Sequence, residues 1–153
     1  PQAPNPDGHI IRTVDDGGFL GLTFRWDIYI LASSTRGTEN VFSDPDAAYA
    51  DPFGRLFIGT DGGQPDNIVE DQLVVFDTTQ PNPQPRRLLT GVAGDEVTGW
   101  AYTPDFRTAF TNIQHPGDGD PNLTSFPSPV KGFLIPRDAT LVIRRKNNGV
   151  VGS

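Results

Sequence analysis

The sequence predicts an all-β chain of short antiparallel strands, and three observations point there. Gly and Pro are abundant, with 17 and 15 copies among 153 residues. That composition opposes long helices, because Pro lacks the amide donor and Gly loses the most backbone entropy on ordering. Next, no segment sustains a 3.6-residue apolar period, whereas short β-branched and aromatic runs alternate with clusters of Gly, Pro, Asn and Asp. Finally, one strand–turn–strand pattern recurs 52 residues further along the chain.

The elements follow in order. PQAPNPDG (1–8) is polar and reads as a linker. HIIRTV (9–14) alternates and runs into DDGG, a turn signal, and FRWDIYILA (24–32) is a β-branched and aromatic run. Residues 33–46 read as a loop. Strands are then expected at 46–50 and 55–60 around the turn ADPFGR, with a DGG turn after them. QLVVFDT (72–78) is stopped by the Pro-rich TTQPNPQP, and RRLLTG (86–91) is short and extended. Strands at 97–102 and 108–113 flank the turn TPDF. A long loop with four Pro covers 115–129, and ATLVIRRKNN (139–148) is the last strand.

The repeat organises these strands. DPDAAYADPFGRLFIGTD (44–61) aligns with EVTGWAYTPDFRTAFTN (96–112). In each copy a carboxylate, Asp44 or Glu96, precedes small residues and an aromatic strand. A turn then ends on Arg55 or Arg107, which opens a further apolar strand. A period near 50 residues suits the blades of a β-propeller, four-stranded meanders around a central channel. Residues 9–32 then supply the outer strands of one blade, 46–91 a complete blade, and 97–145 most of a third. Propellers have at least four blades. The chain, from residue 9 to 153, is therefore expected to be two to three blades of a larger ring, whose other blades come from the same protein or from another chain.

Composition narrows the function classes. Nineteen acidic residues against twelve basic ones give a net charge of −7, which disfavours nucleic acid and suits cations. The absence of Cys excludes disulfides and Cys-ligated metals within the chain. There is no Met, no apolar run near the length of a membrane span, and no signal peptide; the start at Pro1 reads as a cut or a linker. GxSxG, Walker and HExxH motifs are missing.

The segments GHIIRTVDDGG, SDPDAAYADPFGRLFIGTDGG, DEVTGWAYTPDFRTAFTNIQHPGD and PRDATLVIRRKNNGVVGS resemble the PhoX-type alkaline phosphatases, over nearly the whole chain. The last of them looks like that family's C-terminus. The resemblance implies a secreted, periplasmic or extracellular bacterial phosphomonoesterase on a six-bladed propeller, with ferric iron and calcium at the channel mouth. Two departures stand out. The family's SPDG and TPDG turns appear as DPDA (44–47) and TPDF (103–106), so that left-handed strain or another turn type is expected where Gly is lost. The family's iron-binding Cys and several of its carboxylates belong to a segment outside this sequence, so the cluster cannot be complete here.

The resemblance also marks site residues. Glu96, before the small inner strand VTG, is a metal ligand or a solvated loop acid. Asp44 and Asp46 hold the matching place in the preceding blade; one faces the axis as a ligand, with Asp46 favoured by the family's PDG acid, and the other makes an Asx-turn. Asp61 and Asp95 rank below them as turn residues. His115 acts on a substrate phosphate, ligates a metal, or makes a structural hydrogen bond, with Gln114 and Asn112 in support. Arg144 or Arg145 is a phosphate clamp or a surface ion pair. DGDPN (118–122) resembles a calcium loop only loosely, and Asn122-Leu123-Thr124 fits a glycosylation acceptor. Two functions follow: part of a phosphatase that is inactive without its other blades, or a non-catalytic propeller module that binds calcium or serves as a scaffold for a protein partner.

Overall fold

The computed structural model describes residues 5–33, 41–62, 70–130, 132 and 135–153. Among them are three antiparallel sheets and a single 3₁₀ turn, Gly18–Leu20. The first sheet pairs β1 (His9–Asp16) with β2 (Thr23–Leu31). The second is a four-stranded meander of β3 (Pro45–Ala50), β4 (Arg55–Thr60), β5 (Gln72–Asp77) and β6 (Arg86–Thr90). The third is β7 (Glu96–Tyr102), β8 (Thr108–Gln114) and β9 (Ala139–Arg144). Each expected strand is present within about two residues at its start. The middle of the expected 33–46 loop, residues 34–40, lies outside the described residues, as do residues 1–4 of the expected linker.

Residues 5–8 of the expected linker make hydrogen bonds at the ends of the strands that follow. Asn5 donates its side-chain amide to Ala32 O at 2.9 Å, Ala32 N–H donates to Gly8 O at 3.1 Å, and Asp44 N–H donates to Asp7 O at 2.9 Å. Residues 5–8 thus fasten the first sheet to the start of β3. Their polar composition resembles a linker because they are held by hydrogen bonds rather than by apolar burial.

Period-2 alternation divides the core in two. From the middle sheet, Ile58, Val74 and Phe76 face the first sheet and pack with Ile30, Ala32 and Phe42. The intervening Phe57, Leu73 and Val75 face the third sheet and pack with Val97 and Ile113. The central strands are therefore apolar on both faces, and β5 is buried along QLVVF. The outer strand β9 alternates half-buried and exposed residues, because only one of its faces meets the rest of the chain.

Strand β7 packs against β3, β4 and β5, so the inner strands of the second and third sheets converge. The approach is close enough to require Gly59, where a Cβ would sit 2.0 Å from Val97 O. This contact carries the ends of β3, β4, β7 and β8 to one place.

At the opposite end the repeated turns face each other. Gly54 adopts φ +78°, and Phe106, 52 residues later, adopts φ +58°. At TPDF the lost Gly is thus met with left-handed strain rather than with a different turn, whereas at DPDA Ala47 lies in β3, paired with Gly59. The Phe106 ring packs edge-on against Phe53 at 5.0 Å and Tyr102 at 5.2 Å, which offsets that strain.

Candidate metal centre

Antiparallel pairing fixes which residues meet at the site end. In the middle sheet Pro45 pairs with Thr60, so Asp44 and Asp61 flank the same end of the β3–β4 hairpin, and Asp61 N–H donates to Asp44 O at 3.0 Å. In the third sheet Glu96 pairs with Gln114, which sets His115 just beyond Glu96. Packing β4 against β7 unites the two ends. Asp61, Glu96 and His115 each offer one ligand atom, and the three atoms lie within 4.8 Å of one another.

Burial distinguishes the three. Glu96 is 7 % exposed, while Asp61 and His115 are open to solvent. His115 Nε2 stands 3.3 Å from Glu96 Oε2. Burial pushes the Glu96 carboxyl above its usual range, and the negative charges of Asp61 and Asp46 push it the same way, against the opposing pull of His115. Burial pulls the His115 imidazolium down, but the hydrogen bond and charge of Glu96 outweigh it and the group ends above its ordinary value. The strand ends that gather these residues thus hold carboxylates whose charges raise the affinity of Glu96 for a proton.

The donor set fits a hard cation. Two oxygens bound to one calcium ion at ~2.3–2.6 Å are at most about 5 Å apart, the scale of the observed group. Carboxylates suit calcium and ferric iron, and an imidazole suits iron.

The other sequence candidates lie as follows. Asp46 is exposed on β3 and reaches Glu96 through its charge rather than as a member of the three-atom group. Asp44 is half-buried in a left-handed conformation, φ +49°, with its backbone bonded to Asp7 and Asp61. Asp61, ranked below both as a turn residue, is the acid just past β4 that stands with Glu96. The repeat alignment conceals it, because a 52-residue offset matches Asp44 with Glu96 and says nothing of the residue folded back beside Asp44. The register implied by the ADPFGR turn is the signal that finds it.

Asp95 is 4 % exposed, and burial, with the charges of Asp71 and Glu70, pushes its carboxyl up to about 7. Asn112 accepts from Thr140 Oγ1 at 2.8 Å, across the β8–β9 pair. Arg144 and Arg145 are at the turn end, where they donate to Asn148 Oδ1 at 3.0 Å and Ser153 O at 2.7 Å, so neither clamps a phosphate at this site. Asp120 Oδ1 accepts from Asn122 N–H at 2.9 Å, an Asx-turn within the DGDPN loop. Sequence reasoning also passed over Asp138, whose Oδ1 accepts the backbone N–H of His115 at 2.7 Å and fixes a residue held at φ +35°.

The model of the family described as alkaline phosphatase PhoX matches residues 1–117. The chain belongs to the PhoX family. Among solved structures, Pseudomonas fluorescens PhoX in complex with vanadate, a transition state analogue, is similar with a TM-score of 0.80 and 32 % sequence identity. The match covers 95 % of this chain and 27 % of that one, so this chain spans about a quarter of its relative's length. No curated protein matches. PhoX proteins are metal-dependent, which agrees with a ligand group at the sheet ends. No helix among the described residues is long and apolar enough to cross a membrane.

Proposed function

We propose that this chain is a portion of a secreted PhoX-type phosphomonoesterase, and that its contribution to the active site is the cation site of Asp61, Glu96 and His115. The convergence of those three donors within 4.8 Å carries the reading. Asp46 and Asp44, on the neighbouring strand end, extend the oxygen donors toward further calcium or ferric ions. Bound there, such cations would polarise a phosphoryl oxygen and stabilise charge on the departing ester oxygen.

The residues of this chain have distinct duties in that scheme. Glu96 is buried and held by its neighbours, so it presents a fixed carboxylate. Asp61 is exposed and closes the solvent side. His115, with its side chain 42 % exposed, is placed to touch both Glu96 and an incoming phosphate ester. The negative field that raises Glu96 discourages a bare phosphate and favours one that arrives together with cations.

The remaining ligands and blades belong, in this reading, to the rest of a six-bladed ring. Two faces are suited to receive them. Trp26, 63 % exposed, shares an apolar face of the first sheet with Phe24 and Ile28, and Val142 is 61 % exposed on β9. A phosphatase assay combined with metal analysis on the full-length protein tests the proposal. Replacement Glu96→Ala should reduce bound metal and turnover together. Bound metal without turnover in the wild type would favour the non-catalytic binding module, and unchanged turnover in the variant would remove Glu96 from the site.

A further inference from the structure

Asp61 is the exposed carboxylate of the ligand group, and its side chain makes no hydrogen bond among the described residues. Its backbone N–H is held by Asp44 O, and its two neighbours in sequence are both held by a single buried carboxylate. Asp71, 6 % exposed, accepts the Thr60 hydroxyl on Oδ1 at 2.5 Å and the Gly62 N–H on Oδ2 at 3.1 Å. One side chain thus brackets Asp61 from both sides.

The bracket is itself anchored. Thr60 is fully buried, and its Oγ1 accepts the N–H of Gln72 at 2.9 Å while donating to Asp71. Gln72 Oε1 accepts from Arg87 Nε at 2.8 Å, which ties the network to β6. The backbone carbonyl of Asp71 accepts the Gly91 N–H at 2.7 Å, at the far end of the same strand. The beginning of β5 and the end of β6 therefore act as a frame for the residue that leaves β4.

We infer that Asp71 is a positioning residue for the cation site: it holds Thr60 and Gly62 so that the Asp61 carboxylate is aimed at Glu96 and His115. The inference rests on the cation-site reading above. Its physical basis is that a side chain behind a ligand raises affinity by removing the ligand's freedom to point elsewhere, an effect typically worth about 10–100-fold in metal binding. Charge alone does not explain the arrangement, because both carboxylate oxygens of Asp71 are turned to the Thr60 hydroxyl and the Gly62 amide.

The test is a calcium titration of metal-stripped full-length protein, with a thermal melt of each variant. Asp61→Asn should weaken calcium binding. Asp71→Asn keeps the shape of the side chain but cannot accept both bonds, and should weaken calcium about tenfold. The double variant should bind no worse than Asp61→Asn alone, because the effect of Asp71 passes through Asp61. Thr60→Val, which removes the bridging hydroxyl, should reproduce part of the loss, and Thr60→Ser should restore it; this pair decides the matter if Asp71→Asn does not fold. Wild-type affinity in Asp71→Asn, or in Thr60→Val when Asp71→Asn fails to fold, would overturn the inference, as would losses that multiply in the double variant. If Asp61→Asn itself binds calcium normally, the cation-site reading fails and the inference falls with it.

Discussion

The two ends of the paired sheets are built on opposite principles. At the turn end, one carboxylate gathers its polar partners locally and aromatic rings fill the space. Asp51 accepts the N–H groups of Phe53 and Arg55 at 2.9 Å and the Arg55 guanidinium at 2.6 Å. Phe57 stacks on Trp100 at 4.5 Å and meets Tyr102 edge-on at 5.9 Å. At the site end, Asp61, Glu96 and Asp46 are gathered, with the His115 imidazole 3.3 Å from Glu96. Aromatic packing is thus concentrated at one end of the strands, and the proposed cation site lies at the other. Like charges brought together there cost stability that a bound cation would offset.

That division can be broken by substitution at the turn end. Phe57 is 1 % exposed at the centre of the aromatic cluster. Its replacement by Ala should cost about 3–5 kcal/mol in denaturant unfolding of the full-length protein. Calcium affinity measured below the transition should change less than about twofold, well under a tenfold unit of 1.4 kcal/mol. A large loss of affinity in the folded variant would mean that the ends are coupled.

The repeated turns offer a sharper comparison. Gly54→Ala places a Cβ 2.7 Å from Thr79 Cγ2 at φ +78°, and should cost about 1–3 kcal/mol. At the equivalent Phe106 the ordering of small residues should follow the backbone: Phe106→Gly should be more stable than Phe106→Ala by about 1 kcal/mol, because φ is +58° there. A Phe106→Ala variant at least as stable as Phe106→Gly would show that the turn relaxes out of the left-handed region.

A smaller effect distinguishes the ends by pH. Burial pushes the Tyr102 phenol up to about 12, and its hydroxyl donates to Val151 O at 3.0 Å. A raised folded-state value means that the neutral form is favoured by folding. Its contribution is present below the unfolded value, near pH 10, and is lost as pH rises toward 12. The melting temperature of the wild type should therefore fall more steeply over that window than that of Tyr102→Phe. Parallel curves would place the phenol in solvent.

How much of this the sequence discloses also differs between the ends. The strands and the turn repeat are readable because alternation and turn residues are local signals. The left-handed Phe106 follows from a Gly missing at a known place. Glu96 and His115 can be singled out from the repeat together with the family resemblance, and the structure puts them 3.3 Å apart. Asp61 is harder to find, since it joins them only through the hairpin register and the β4–β7 contact. Asp71 and Asp138 carry no local signature, because each acts through hydrogen bonds to residues 9–23 positions away.

The division of labour is tested most directly by the calcium-induced shift in melting temperature of metal-stripped full-length protein, compared between the wild type and Glu96→Gln. Removing the buried charge relieves the repulsion from Asp61 and Asp46, so the metal-stripped variant should melt at or above the wild type. Added calcium should raise the wild-type melting temperature and leave that of Glu96→Gln nearly unchanged. An equal calcium shift in both proteins, or a variant that melts well below the wild type without metal, would contradict the account.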